Sequence, residues 1–550
     1  MAAHDVLQLG ATEVGPGRGE AVVAVEFDHV LDYLQPMPDD FSPDALPPVP
    51  FQFAASPRYA AALDRLATQV RADLERINLP PPAWMLPAES ASAEAPVLDV
   101  LVAGAGMCGQ TAAFALRREG LTNIRVIDRA ARGDEGPWGT YARMLTLRSP
   151  KQVGGPELGV PSLSFRAWYE AQHGAEGWSA LHKIGRIDWR DYLLWVRDTV
   201  GLPVENGIAL RSVSHTSDGR LLEVELDGPH GRRETVRTRQ LVLALGRDGS
   251  GAPRWPAFPS LRGDDPLAAA RVFHSADAID FGALAGQRIG VLGAGASAFD
   301  NAACALEAGA AEVVLFARRA QLPQINKSKA ASSHGFLRGF EGLDDARKWR
   351  VYTYIFDEQV PPPWETVRRC DAHAAFTLLL GTPWLDVAAD EDGVEVTLPN
   401  GGIERFDAVI FGTGFDVDLL DRPEIARYTS QIDTWARHVL PDEAERYPEP
   451  ARFPYLGAGF ELQSRDRAAS GAEADALSRM RLFNWGATMS HGALAGDIPG
   501  LAIGATRLAH AIARDLFVED ADRHWARLLA HDEPELIATR WYAGNDDGKP

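Results

Sequence analysis

Two glycine clusters have the spacing that lets a backbone turn hold a phosphate against the end of a helix. The first, Gly104-x-Gly106-x-x-Gly109, follows the apolar run Val100-Leu-Val-Ala103 and precedes an apolar helical pattern over residues 111–118. Gly104 permits the tight turn, Gly106 lets the backbone approach a pyrophosphate, and Gly109 lets the helix lie close on the strand. The free N–H groups of the first helical turn then face the phosphates. A second strand pattern, residues 124–127, ends in Asp128; counting from 106 to 128 gives 22 residues, near the ~20 at which an acid takes the ribose hydroxyls of a dinucleotide.

The second cluster is Gly293-Ala-Gly295-Ala-Ser297-Ala298, again between a strand pattern (288–292) and a helix, with Ala298 as the third small residue. Its following strand, 313–317, ends in Arg318-Arg319 where the first copy has an acid. Acid suits an unphosphorylated ribose and arginine a 2′-phosphate. The expectation is therefore FAD in the first fold and NADPH in the second, with a solvated strand end as the other reading of Arg318 and Arg319. Two such cofactors on one chain imply hydride transfer from nicotinamide to flavin.

These turns need parallel sheets behind them. The predicted class is α/β, with two Rossmann-like dinucleotide-binding domains and the NADPH domain inserted in the FAD domain. The expected boundaries are an N-terminal extension and linker (1–96), a first part of the FAD domain (97–255), the NADPH domain (256–410), and a second FAD part with a C-terminal helix (411–550). In the extension, residues 22–34 and 59–77 have helical patterns separated by prolines. Within the NADPH domain, residues 321–384 concentrate bases and aromatics, among them Asn326-Lys327, His334, Lys348-Trp349-Arg350 and Tyr352. That region reads either as a substrate site or as a helical lid packing its aromatics on the core. The turn Gly412-Thr-Gly414-Phe and the polar, Gly-rich stretch 484–500, which contains Asp497, are further candidates to meet a cofactor.

Composition limits the alternatives. The chain has 550 residues, 46% of them hydrophobic, and a net charge of −21, which repels nucleic acid and anionic lipid and leaves room for a local basic pocket. No apolar run approaches the ~18 residues of a membrane span, and the start shows no secretory pattern. Cys108, Cys304 and Cys370 are scattered, as in a reducing compartment and unlike a structural zinc site or a dithiol enzyme. A cytoplasmic protein with no metal is expected, with a homodimer contact as one use of the extension.

Assembled, these features resemble the two-dinucleotide-binding flavoproteins, and more closely the class B flavin-dependent monooxygenases, which include flavin-containing, Baeyer–Villiger and N-hydroxylating enzymes. The resemblance spans about residues 97–515. Besides the two glycine clusters it rests on Ala244-Leu-Gly246 and Gly412-Thr-Gly414-Phe415 at strand ends, on Trp138 in Gly-Pro-Trp-Gly, and on Trp255-Pro-x-Phe-Pro259. Phe273-His274-Ser275 and the segment from Thr146 to Lys151 also take part.

The resemblance implies insertion of one atom of O2 into a small polar substrate through a C4a-(hydro)peroxyflavin, by N-hydroxylation or heteroaromatic hydroxylation. Baeyer–Villiger oxidation is the alternative within the class, and an NADPH-dependent flavin reductase or electron carrier the alternative outside it. The Baeyer–Villiger fingerprint aligned on His274 requires Phe, Gly and an aromatic where this chain has Ala268, Ala270 and Ala278. The asparagine of the family's segment beside the flavin is replaced by Arg148. Its guanidinium would stabilise an anion on the flavin, bind a substrate carboxylate, or pair with a nearby acid. His274 is a candidate for catalysis or for a structural linker role, and Lys327 for substrate or for the NADPH phosphate. The cofactor residues so implied are Gly104, Gly106, Gly109, Asp128, Trp138, Gly414 and Asp497 for FAD, and Gly293, Gly295, Ser297, Arg318 and Arg319 for NADPH.

Overall fold

The structure is a computed structural model that describes residues 57–88, 96–262, 265–466 and 471–542; the pattern at 22–34 lies outside them. The chain opens with helix α1 (Pro57–Arg76), whose Val70 and Leu74 are buried in the first core. Strand β1 (Val97–Ala103), helix α2 (Met107–Arg118) and strand β2 (Ile124–Asp128) form the first nucleotide unit. The helix starts directly at the glycine turn, four residues earlier than the apolar pattern predicts, because Gly106 is its N-cap. Residues 100–103 are fully buried, as expected of a parallel strand covered on both faces. Each such Val or Leu contributes about 2 kcal/mol by leaving water.

Helices α3 (Phe165–Ala180) and α4 (Arg186–Thr199) follow, then β3 (Val204–Asn206), the meander β4 (Ala209–His215) and β5 (Leu222–Asp227), and the long β6 (Arg233–Leu243). The first sheet has the order β3-β2-β1-β6-β5-β4. It is parallel from β3 to β6 and antiparallel beyond.

At β7 (Gly251–Pro253) the chain leaves this sheet. Helix α5 (Pro266–Arg271), β8 (Val272–His274), β9 (Arg288–Leu292), helix α6 (Ala296–Glu307) and β10 (Glu312–Phe316) build the second nucleotide unit. Helices α7 (His334–Gly339), α8 (Asp345–Glu358) and α9 (Trp364–Asp371) precede β11 (Phe376–Leu379). The meander β12 (Asp386–Ala389), β13 (Val394–Thr397) and β14 (Ile403–Phe406) then leads to β15 (Ala408–Phe411) and β16 (Phe415–Val417). The second sheet, β11-β10-β9-β15-β8, is parallel throughout. One face packs on α6 and α9, where Phe299 and Cys370 are buried, and the other packs on the meander around Phe316, Phe406 and Phe411.

β16 pairs antiparallel with β7, so the segments entering and leaving the second fold run side by side. β17 (Met480–Leu482) returns to the first sheet beside β6, and the long helix Ile498–Glu519 packs on α2. The second fold is thus an insertion in the first. A further core joins Phe340, Trp349 and Tyr352 to Trp435, Phe453 and Met489, so several aromatics of the 321–384 region pack as core. No helix among the described residues is long and apolar enough to cross a membrane.

Candidate active site

Both glycine turns have the same construction. Gly104 has φ +98°, and a Cβ there would stand 2.3 Å from the Ala244 carbonyl oxygen; at Gly109 it would stand 1.8 Å from the carbonyl oxygen of Gly104. At Gly106 the nearest such atom is the Gly136 Cα at 3.7 Å, so two residues without side chains face each other across a slot. In the second turn Gly293 has φ +120° and its Cβ would meet the Gly412 oxygen at 2.5 Å, whereas Gly295 faces open space. Neither N-cap, Gly106 or Gly295, is satisfied by a side chain. A first glycine that must turn, a second left bare and an uncapped helix end form a phosphate cradle. The residues present therefore fit a dinucleotide at each turn.

Asp128 closes the first cradle. Its carboxylate accepts hydrogen bonds from the N–H groups of Ala105 at 2.7 Å and Ala130 at 2.8 Å; burial raises its pKa, opposed by those two bonds. The loop behind it is held by Glu135, which pairs with Arg197 at 2.7 Å and accepts from Asn206. Trp138 lies two residues beyond Gly136, its carbonyl accepting from Arg186 and its buried indole N–H without a partner. In the second cradle the two arginines differ. Arg319 donates to the Asp357 carbonyl at 3.3 Å, while Arg318 is exposed, with no hydrogen bond or ion pair among the described residues. Lys327 lies over the Tyr354 ring, 5.7 Å from its centre, one turn of α8 from Asp357. The structure therefore brings Lys327 and Arg319 to the same end of α8.

Arg148 reaches from the first fold to the second. Its Nη2 is 3.0 Å from Asp300 of α6, whose side chain is 3% exposed and accepts from Thr366 at 2.8 Å. Lys183 and Glu365 form a second ion pair between the folds. Arg148 also acts electrostatically on Asp497, the N-cap of the long helix, whose carboxylate caps no backbone N–H there. Burial raises the Asp497 pKa, and the charges of Arg247 and Arg148 hold it down. Arg247, three residues past Ala244, lies 4.1 Å over the indole of Trp485.

His274 is placed apart from these charges. It is fully buried, its Nε2 lies 3.0 Å from the Gly414 carbonyl, and its Nδ1 accepts from the Ala276 N–H. Both ring nitrogens are therefore engaged by backbone, and burial lowers its pKa, keeping the ring neutral. The Gly414 oxygen also accepts from the Arg254 N–H, so His274 and Gly414 sit together where the inserted fold rejoins the first.

Arg247 and Asp300 are not among the residues singled out from sequence, and Trp485 falls within the candidate stretch 484–500 without being named there. A signal existed for Arg247, since a cation directly after a strand-ending Gly246 lies at the carboxyl end of parallel strands, where such folds bind ligands. Asp300 gave none, because its partner lies 152 positions away, and the pairing of Trp485 with Arg247, 238 positions away, was equally hidden. Among the described residues no group of His, Cys, Asp and Glu is arranged to hold a metal ion.

Comparison with known proteins agrees with this architecture. Residues 101–248 match the FAD-NAD(P)-binding family, and residues 178–337 match the L-lysine 6-monooxygenase/L-ornithine 5-monooxygenase family. The fold is shared with reduced ornithine hydroxylase from Pseudomonas aeruginosa (TM-score 0.59, 18% identity, 76% of this chain and 100% of that one). It is also shared with L-lysine 6-monooxygenase from Pseudomonas syringae (TM-score 0.57, 19% identity, 76% and 99%). In class the protein is an FAD-dependent flavoprotein monooxygenase, an oxidoreductase that also binds a nicotinamide dinucleotide. It belongs to the family of the FAD-dependent urate hydroxylase of Xanthomonas campestris pv. campestris, with which it is 39% identical over 478 residues, 86% of this chain and 98% of that one.

Proposed function

We propose that this monooxygenase hydroxylates an oxidised purine of the urate type, with NADPH as reductant. The observation that carries the reading is the 39% identity with a urate hydroxylase across 98% of that protein. Bound FAD supplies hydride acceptance and oxygen activation, so that one atom of O2 goes to the product and the other to water.

The chain's own residues do the rest by position and charge. The turns at Gly104, Gly106, Gly109 and Gly293, Gly295, Ser297 hold the two pyrophosphates at helix ends, and Asp128 takes the adenosine ribose of FAD. Arg318, exposed beside the second turn, takes the 2′-phosphate with help from Arg319 and Lys327; Trp138, Gly414 and Asp497 line the flavin side. The Arg148–Asp300 pair fixes the separation between the two cradles, and hence how far hydride must travel. Arg318→Ala is expected to raise KM for NADPH at least tenfold and to leave KM for NADH within a factor of two, measured by steady-state reduction.

The match of residues 178–337 to lysine and ornithine monooxygenases favours a second reading, N-hydroxylation of an amine. One experiment separates them: O2 uptake and NADPH consumption with urate, L-ornithine and L-lysine, with the product weighed by mass spectrometry. Urate-dependent uptake with a product carrying one added oxygen is expected. Turnover with the amines and none with urate would overturn the purine reading.

A further inference from the structure

Arg247 presents an unmet demand at the junction of the two folds. Gly246, with φ +76°, turns the chain at the carboxyl end of β6, and Arg247 follows at once. Neighbouring arginines have acidic partners: Arg148 has Asp300, Arg129 has Asp248, and Arg254 has Asp416 and Glu449. Arg247 has no hydrogen bond or ion pair from its side chain to any described residue; Asp497 influences it without coming within ion-pair distance. Its side chain is exposed to solvent, and the protein packed around it lowers its pKa.

Its guanidinium lies on the face of Trp485, 4.1 Å from the ring centre, and that indole is itself fixed. Asn484 accepts from Ser250 at 3.0 Å and from the Gly486 N–H at 3.0 Å, and Gly496 packs against the ring. Stacking occupies the flat face of a guanidinium and leaves its edge donors free, in the fork that suits two adjacent acceptors. Arg148 adds a second positive charge beside it. In a chain of net charge −21, an exposed guanidinium without an acidic partner among the described residues is a local site for an anion.

We infer that Arg247, laid on Trp485, is the anion anchor of the oxygenation site, binding the negative edge of a flat N-heterocyclic or aromatic acid and selecting it over neutral and cationic molecules. The inference rests on the purine reading for its preferred ligand, urate, which is a monoanion at neutral pH.

The test uses the full-length, FAD-loaded, oxidised enzyme without NADPH. Urate, nicotinate, hypoxanthine and L-ornithine are titrated against the flavin absorbance of wild type, Arg247→Met and Arg247→Lys, with FAD content and melting temperature measured for each. Wild type is expected to bind urate well ahead of neutral hypoxanthine. Arg247→Met should weaken urate at least twentyfold and remove that preference while keeping one FAD per chain, and Arg247→Lys should recover part of the affinity. Loss of the wild-type response to nicotinate on Arg247→Met, with no response to urate, would uphold the anchor and refute the purine reading. Unchanged anion affinity in both variants, loss of FAD from Arg247→Lys, or wild-type binding of L-ornithine alone would overturn the anchor.

Discussion

Gly106 and Gly109 stand in one turn and respond to an added methyl group in opposite ways. In Gly109→Ala the new carbon would meet the Gly104 carbonyl at 1.8 Å, a backbone atom that yields only if helix and strand separate. A cost of about 3 kcal/mol or more is expected, seen as loss of soluble folded protein. In Gly106→Ala the nearest protein atom is 3.7 Å away, so the apoprotein should melt within about 2 °C of wild type, while FAD per chain falls because the methyl occupies the pyrophosphate's place. Such residues are legible in sequence because the turn fixes their geometry within six positions. Arg148 was legible as a charge beside the site; its partner Asp300 was not, since nothing local relates a loop of one fold to a helix of another.

Between elements, charge decides how β1 and β6 hold the end of the long helix. Arg239 of β6 is 2% exposed and lies 2.8 Å from Asp520 and 3.9 Å from Asp99 of β1. Burial pushes the Asp99 carboxyl up to about 6, against the pull of Arg239. Its folded pKa thus exceeds the unfolded value near 3.8, so its contribution is fully present below that value and is lost as pH rises through about 6. Asp99→Asn should abolish this decline and add up to about 3 kcal/mol at pH 7, read from urea unfolding between pH 4 and 8. Elements long enough to show a period, such as α4 and β6, could be read from sequence. β7, β8 and β16 could not, having three residues each, and β8 looked like part of a linker until its pairing with β15 made it a sheet edge.

For the whole molecule, acid works in the other direction. His491 is fully buried, its Nε2 2.9 Å from the Gly457 carbonyl and its Nδ1 facing Arg507. Burial, with the charges of Arg507 and Lys348, lowers its pKa to about 3. The unfolded chain takes up that proton near pH 6.5, so the stability His491 contributes is present above about 6.5 and lost as pH falls towards 3. Between about pH 4 and 6 this rise opposes the decline from Asp99, so the two groups together leave stability nearly level there and highest above about 6.5. Melting temperature against pH should show this, and His491→Gln should uncover the Asp99 decline as a fall in stability from about pH 4 to 6. The double cradle and the insertion were legible at this scale because two repeated motifs and a late strand announce them. The grouping of Arg148, Asp300, Arg247, Trp485 and Asp497 was not, because these residues share no local pattern.

The return of β17 to the first sheet sets an order of assembly during synthesis. The second nucleotide fold has all its strands once β15 has left the ribosome, whereas the first, begun earlier, still lacks β17 and the helix that packs on α2. A nascent chain halted after β16 would therefore hold a second fold with its sheet complete and a first fold still missing its last strand and a covering helix. On the proposed assignment of FAD to the first fold, stable flavin capture is expected late in synthesis, once residues 480–519 have been added.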